Sequence, residues 1–281
     1  MDVTPPPAAL SLADRERLRH PLERRVARVV ALLDVLLVTT VLSLLLWGTE
    51  WLETRPTLNK YRTHARILLV AVLGAPVVAT YARRRRQILA QEESIRVGPA
   101  QLPELYRVLE SQCRRVGIAT PELYLSDGVD HTTAFEWRGR QCIILSTHDF
   151  AEFPEAFDDV VAFALAREVG SICLGHTSFR AELLRSSVAP IPFLRGPLHQ
   201  ITTYSCDRYG ALLAPRATRA LIVAACGDRM QKRVDLDAYF AQLDERAEEG
   251  FWDSIVWLFR RRVPLAHRVR ELRRAGLLKA C

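Results

Sequence analysis

Two stretches of nearly uninterrupted apolar residues limit what this chain can fold into. Residues 29–47 read VVALLDVLLVTTVLSLLLW, with Asp34 as the only charge. As a helix rising about 1.5 Å per residue, this run covers most of a ~30 Å hydrocarbon core. Asp34 lies near one end, within reach of the interface or a partner. A signal peptide fits poorly, because the run starts late, is long and lacks a small-x-small cleavage site. Trp47 and Trp51 resemble an interfacial aromatic belt.

Residues 67–82, ILLVAVLGAPVVATYA, fall short of the usual ~20 residues and contain Gly74 and Pro76. A buried helix or a re-entrant hairpin is the alternative to a span. The arginines at 83–86 follow at once, as a cytoplasmic stop does, and favour the span. Arg15, Arg17, Arg19, Arg24, Arg25 and Arg28 precede the first segment, while the connecting loop offsets its basic residues with Glu50 and Glu53. That asymmetry predicts a multi-pass protein of the inner or plasma membrane, with both ends and the soluble domain on the cytoplasmic side.

With 39 basic and 32 acidic residues the net charge is +7. No zinc knuckle, basic-aromatic ribbon or basic leucine zipper accompanies it, so nucleic acid is excluded as a partner. The arginines flank apolar runs, which makes the lipid bilayer the expected partner. The six cysteines form no C-x-x-C pair and read as reduced thiols.

Residues 1–25, with TPPPAA, read as a disordered segment, residues 26–90 as two transmembrane helices with their loop, and residues 95–281 as one soluble domain. The leucine and valine spacing of QLPELYRVLESQCRRVGI predicts an amphipathic helix. Residues 122–126 predict a strand, and TTAFEW-RGR-QCIILS a hairpin around Gly139. Pro154 suits the first turn of a helix running to about Gly175. Residues 189–197, APIPFLRGP, read as a loop, followed by helices near 199–213, 217–226, 235–248 and 265–276.

The segment LAREVGSICLGH, within the helix ending near Gly175, has the outline of a zinc-protease active-site helix. Taken with PELYLS, AFEW…CIILS, TYSCDRYGALLA and the C-terminal VPLAHRVREL, it resembles the HtpX and CAAX-prenyl protease family of membrane-bound gluzincins, metallopeptidase family forty-eight. The resemblance implies an α+β fold: a mostly helical gluzincin-like metalloprotease domain with a small β-hairpin or sheet, preceded by a transmembrane helical hairpin. In that family the helix carries H-E-x-x-H, with two histidines on one face binding zinc and the glutamate activating a metal-bound water. A second helix supplies a glutamate ligand, and an aspartate four residues later orients the first histidine.

Carried over residue by residue, the two histidine positions are Arg167 and Ser171, and the ligand glutamate position is Thr203. The base position keeps Glu168 and the orienting position keeps Asp207. Arginine has no lone pair to donate, and hydroxyls are poor zinc ligands. No metal and no cofactor is therefore expected, and Glu168 is expected to be idle. A rebuilt site from Cys206, Glu168 and one of His131, His148 or His199 is the alternative. His176 and Cys173 point away from the face of Arg167. The resemblance marks Ala134, Phe135, Glu136 and Trp137 as the edge strand on which active members lay substrate. Loss of a metal leaves Asp207 without a cation, so Arg167 is expected to pair with it and fill part of the vacated position.

The resulting expectation is a membrane-anchored, catalytically inactive pseudoprotease that binds or scaffolds protein or peptide clients. An active zinc-dependent membrane endopeptidase in protein quality control is one alternative, and a purely structural membrane protein is another. Oligomeric state leaves no trace in the sequence.

Overall fold

The structure is a computed structural model and describes residues 10–48, 50–51, 54, 61–149, 157–214, 216–245 and 263–278. A short helix α1 (Leu12–Leu18) precedes two long ones, α2 (Glu23–Ser43) and α3 (Arg62–Glu92). Next come β1 (Ile95–Val97), α4 (Pro103–Val116), β2 (Glu122–Ser126), β3 (Thr133–Trp137) and β4 (Arg140–Ser146). The remaining helices are α5 (Phe157–Cys173), α6 (Phe179–Val188), α7 (Pro192–Leu213), α8 (Ala217–Cys226), α9 (Leu236–Glu245) and α10 (Leu265–Arg274). The class is α+β, mostly helical, with one small mixed sheet.

The run 29–47 occupies α2 and the π-helical turn Leu44–Gly48 that continues it, and the run 67–82 lies within α3. The segments Glu23–Gly48 and Arg62–Glu92 are long and apolar enough to cross a membrane. A core helix of a soluble protein would be mostly buried, yet only 11% and 6% of their apolar windows are buried. Leu36 is 61% exposed and Val78 66%. The second run is short in sequence, but its helix takes in polar residues on both sides, and Pro76 lies inside it without ending it.

The sheet has the order β1-β2-β4-β3, with β2 and β4 parallel and the other two pairs antiparallel. Alternation along the strands separates two cores. Leu123, Ile143 and Leu145 face the main core with α4 and α5, while Tyr124, Cys142 and Ile144 face the other side with Phe135 and with Ala90 of α3. The β3–β4 turn has Arg138 at φ 48 and Gly139 at φ 76. Two successive positive values are what a tight hairpin turn requires. This leaves β3 at the edge of the sheet.

Two expectations fail. Disorder does not extend to residue 25. The prolines of TPPPAA lie outside the described residues, and the segment from Leu10 to Leu18 is folded around a helix. Ser11 caps α1 by accepting the Asp14 N–H, Leu18 is buried in the main core, and the Leu10 N–H bonds the Arg115 carbonyl at 2.7 Å. The expected loop at 189–197 is largely helical. Pro192 sits in the first turn of α7, where it has no N–H to lose, and Pro197 inside the helix removes only one backbone bond. The helix expected from Pro154 begins, among the described residues, at Phe157, and Pro154 itself lies outside them. Cys113, Cys142, Cys173, Cys206 and Cys226 are free thiols, and burial pushes Cys142 up to about 11.

Candidate functional site

Helices α5 and α7 cross at two glycines. A Cβ on Gly170 would lie 2.5 Å from the Cβ of Tyr209, and one on Gly210 would lie 2.7 Å from Cε2 of Phe163 and 2.9 Å from Cγ of Arg167. Only glycine permits this approach. It sets Arg167 on α5 against Asp207, about one turn before Gly210 on α7.

Asp207 is fully buried. Arg268 on α10 grips it side-on, Nε donating to Oδ2 at 2.6 Å and Nη2 to Oδ1 at 2.8 Å. Arg167 adds its Nε at 2.7 Å from Oδ1. The Arg167 Nε–H is not aligned with that oxygen, so this contact is ionic where the Arg268 fork is a bidentate hydrogen bond. Burial alone would raise the Asp207 pKa; Arg268 and then Arg167 outweigh it and hold the carboxyl below its ordinary range. The expected Arg167–Asp207 pair is present, but Arg268 is the stronger partner. Its signal stood in VPLAHRVREL, whose Pro-x-x-x-Arg ends on Arg268.

Glu168 turns toward β3, where its Oε2 accepts the Ala134 N–H at 2.8 Å. Burial is the largest influence on its carboxyl and raises the pKa, with Arg167 opposing only in part. Further along the same outer edge, the Glu136 carbonyl accepts Nη1 of Arg84 at 2.8 Å. Two outward backbone groups of the edge strand are therefore already taken.

Between these elements lies a cavity of about 230 Å³. Arg167, Glu168 and Ser171 of α5 line it, with His199, Thr203 and Cys206 of α7, and Ala134 and Phe135 of β3. Arg167, Ser171 and Thr203, the positions that the resemblance sets against zinc ligands, thus line one space. Glu136 and Trp137 are not among its lining residues, and Asp207 lies behind it. The fourth side is formed by Arg83 of α3 with Glu182 and Arg185 of α6. Sequence reading missed this group, because nothing in LLRSS or in a membrane-flanking RRRR marks a cavity wall.

Cys206, Glu168 and His199 do face the same cavity, as a rebuilt metal site would need. Among the described residues, no three His, Cys, Asp or Glu side chains are grouped to hold a metal ion. His131 and His148 are not among the cavity's lining residues. Burial raises the Cys206 pKa and lowers that of His199, with Arg195 and Arg167 adding to the latter. Thr203 spends its hydroxyl on the His199 carbonyl at 2.7 Å. His176 also reaches the cavity, but its Nε2 lies 3.0 Å from Oε1 of Glu23 at the start of α2.

No family model, curated protein or solved structure matches the chain.

Proposed function

We propose that this chain is a membrane-anchored, metallopeptidase-like protein that does not hydrolyse peptide bonds and uses the cavity beside β3 to bind a protein or peptide client. The observation that carries the reading is the Arg167 guanidinium. It stands where the resemblance places the first zinc ligand, and it is held there by an aspartate that Arg268 already grips. A zinc ion at that position would face a permanent cation with no lone pair to offer. The residues present do not fit the metal.

Glu168 then has a different task. It caps the edge strand, and burial raises its carboxyl pKa, the opposite of what an anionic base needs. The cavity supports client binding because it lies beside the first half of β3, from Thr133 to Phe135. A client adding as a further strand has to displace the Glu168 and Arg84 caps. Anchoring is supported by the two exposed apolar helices, and the arginines flanking them favour a domain on the cytoplasmic face.

Metal analysis of the purified full-length protein tests the reading. The wild type is expected to carry no stoichiometric zinc. The triple variant Arg167→His, Ser171→His, Thr203→Glu is expected to gain it, since the three positions line one cavity. Stoichiometric zinc in the wild type, with a peptidase activity lost on chelation, overturns the proposal.

A further inference from the structure

The charges around the cavity do not balance. Three guanidinium groups line it: Arg83, Arg167 and Arg185. Arg167 has Asp207, but Arg268 shares that carboxylate. Arg84 takes Glu182 at 2.8 Å and leaves Arg83 a long contact of 3.9 Å to the same group. Arg185 has no carboxylate within 4.0 Å among the described residues. One of its Nη groups donates to the His176 carbonyl, and its Nε–H is buried without an acceptor. Burial and then Arg83 push the Arg185 pKa down, and Glu182 opposes this only in part. Glu168, the remaining carboxyl in the wall, already accepts from Ala134.

We propose that this cavity binds a phosphate ester, with Arg185, Arg167 and Arg83 supplying the counter-charge. Guanidinium forks match the planar pairs of oxygens that a phosphate presents. Ser171 adds a hydroxyl to the same wall. Position favours phosphate over other anions. Arg83 follows directly on the apolar run ending at residue 82, and Gln87, also in the wall, lies one helical turn further along α3. If α3 crosses a bilayer, the cavity wall stands at the depth of the lipid headgroups, where phosphate is the abundant anion. The ligand is then the headgroup of an anionic phospholipid or a soluble phosphate ester reaching the same level. The inference rests on the reading that no zinc occupies the cavity, and it gives that reading's client site a second occupant.

The test uses full-length protein in an uncharged detergent, with dihexanoyl phosphatidylglycerol, dihexanoyl phosphatidylcholine, sn-glycerol 3-phosphate and inorganic phosphate as separate probes. Binding is followed by titration calorimetry and by the shift in thermal midpoint. Saturable binding of the phosphatidylglycerol probe is expected, weakened about tenfold or more in Arg185→Gln as a charge-assisted contact is lost. Arg185→Lys keeps the charge and is expected to fall between. Arg25→Gln, which removes a flanking arginine outside the cavity, is expected to bind like the wild type. Phosphatidylglycerol bound well above glycerol phosphate assigns the lipid as ligand; equal binding of the two assigns a soluble ester. No binding of any phosphate probe by the wild type overturns the proposal, as does undiminished binding by Arg185→Gln. If that variant does not fold, undiminished binding by Arg185→Lys together with equal affinity for phosphatidylcholine has the same force. Zinc is measured on the same preparation: a zinc-free protein that binds no phosphate defeats this inference alone, and a zinc-loaded one defeats both.

Discussion

Replacing Arg268 and Arg167 singly by alanine separates the two partners of Asp207. The aspartate is fully buried and held by two arginines of unequal quality. Arg268→Ala removes both aligned hydrogen bonds and leaves the carboxylate facing one misaligned guanidinium. Breaking a buried pair from one side costs about 3–5 kcal/mol, and the partial exposure of Arg268 sets the lower half of that range. Arg167→Ala leaves the bidentate grip intact. Its expected cost is about 1–2 kcal/mol, for one ionic contact to a group that stays satisfied and for packing of the Arg167 stem on Gly210. The double variant should cost more than the sum of the singles, because either arginine alone still gives Asp207 a counter-charge and their joint loss gives it none. Chemical denaturation of the detergent-solubilised protein reads these differences. The pH dependence adds a second readout. Asp207 has a folded pKa below its unfolded one, so its contribution is complete above the unfolded value near 3.9 and fades as pH falls through the folded value. Arg268→Ala should flatten that acid limb. An Arg167→Ala variant as unstable as Arg268→Ala would refute the reasoning, because it would make the misaligned contact the principal one.

Glu168→Gln should leave the fold at least as stable as wild type at neutral pH. The amide oxygen can still accept the Ala134 N–H, and the side chain no longer ionises. Because the folded pKa of Glu168 is raised, its neutral form stabilises below the unfolded value, and that advantage is lost as pH rises through the folded one. The stability gap in favour of Glu168→Gln should therefore widen with pH, which thermal melts across a pH series can check. Gly170→Ala should destabilise by about 1–3 kcal/mol despite better helix propensity, since the new methyl meets the Cβ of Tyr209 rather than the end of a mobile side chain. Gly210→Ala should cost less, because it meets a ring edge and an arginine stem, and denaturation curves rank the two. For topology, a maleimide that cannot cross membranes should label Cys226 only after permeabilisation; labelling in intact cells would place the domain outside.

The elements that sequence revealed are those whose causes are local. The apolar runs, the amphipathic spacing of α4 and the Arg138–Gly139 turn each carry their signal within a few residues. The Arg167–Asp207 contact was expected from a resemblance that set the two positions side by side, and the pair is present. What stayed hidden depends on distant partners. Arg268 reaches Asp207 across 61 residues, and Glu23 reaches His176 across 153. In sequence Glu23 is one acid among flanking arginines, and nothing nearby announces a buried hydrogen bond. Residues 189–197 misled for the opposite reason. Three prolines and a glycine dominate the local signal, while packing of Leu198 of α7 against Val30 and Val188 outweighs it.

The two long apolar helices are bonded directly to the rest of the fold. Glu23 opens α2 and is bonded to His176 and to Ser205, which stands two residues before Asp207. On α3, Thr80 bonds Ser186 at 2.9 Å, and Arg84 holds both Glu182 and the edge of β3. A flexible tether would let the domain tumble while its anchors tilt. Here a change in helix tilt must either turn the whole domain or load the bonds that Glu23 makes to His176 and α7 and that Arg84 makes to β3. If these helices span a bilayer as proposed, its thickness is geared mechanically to the walls of the cavity.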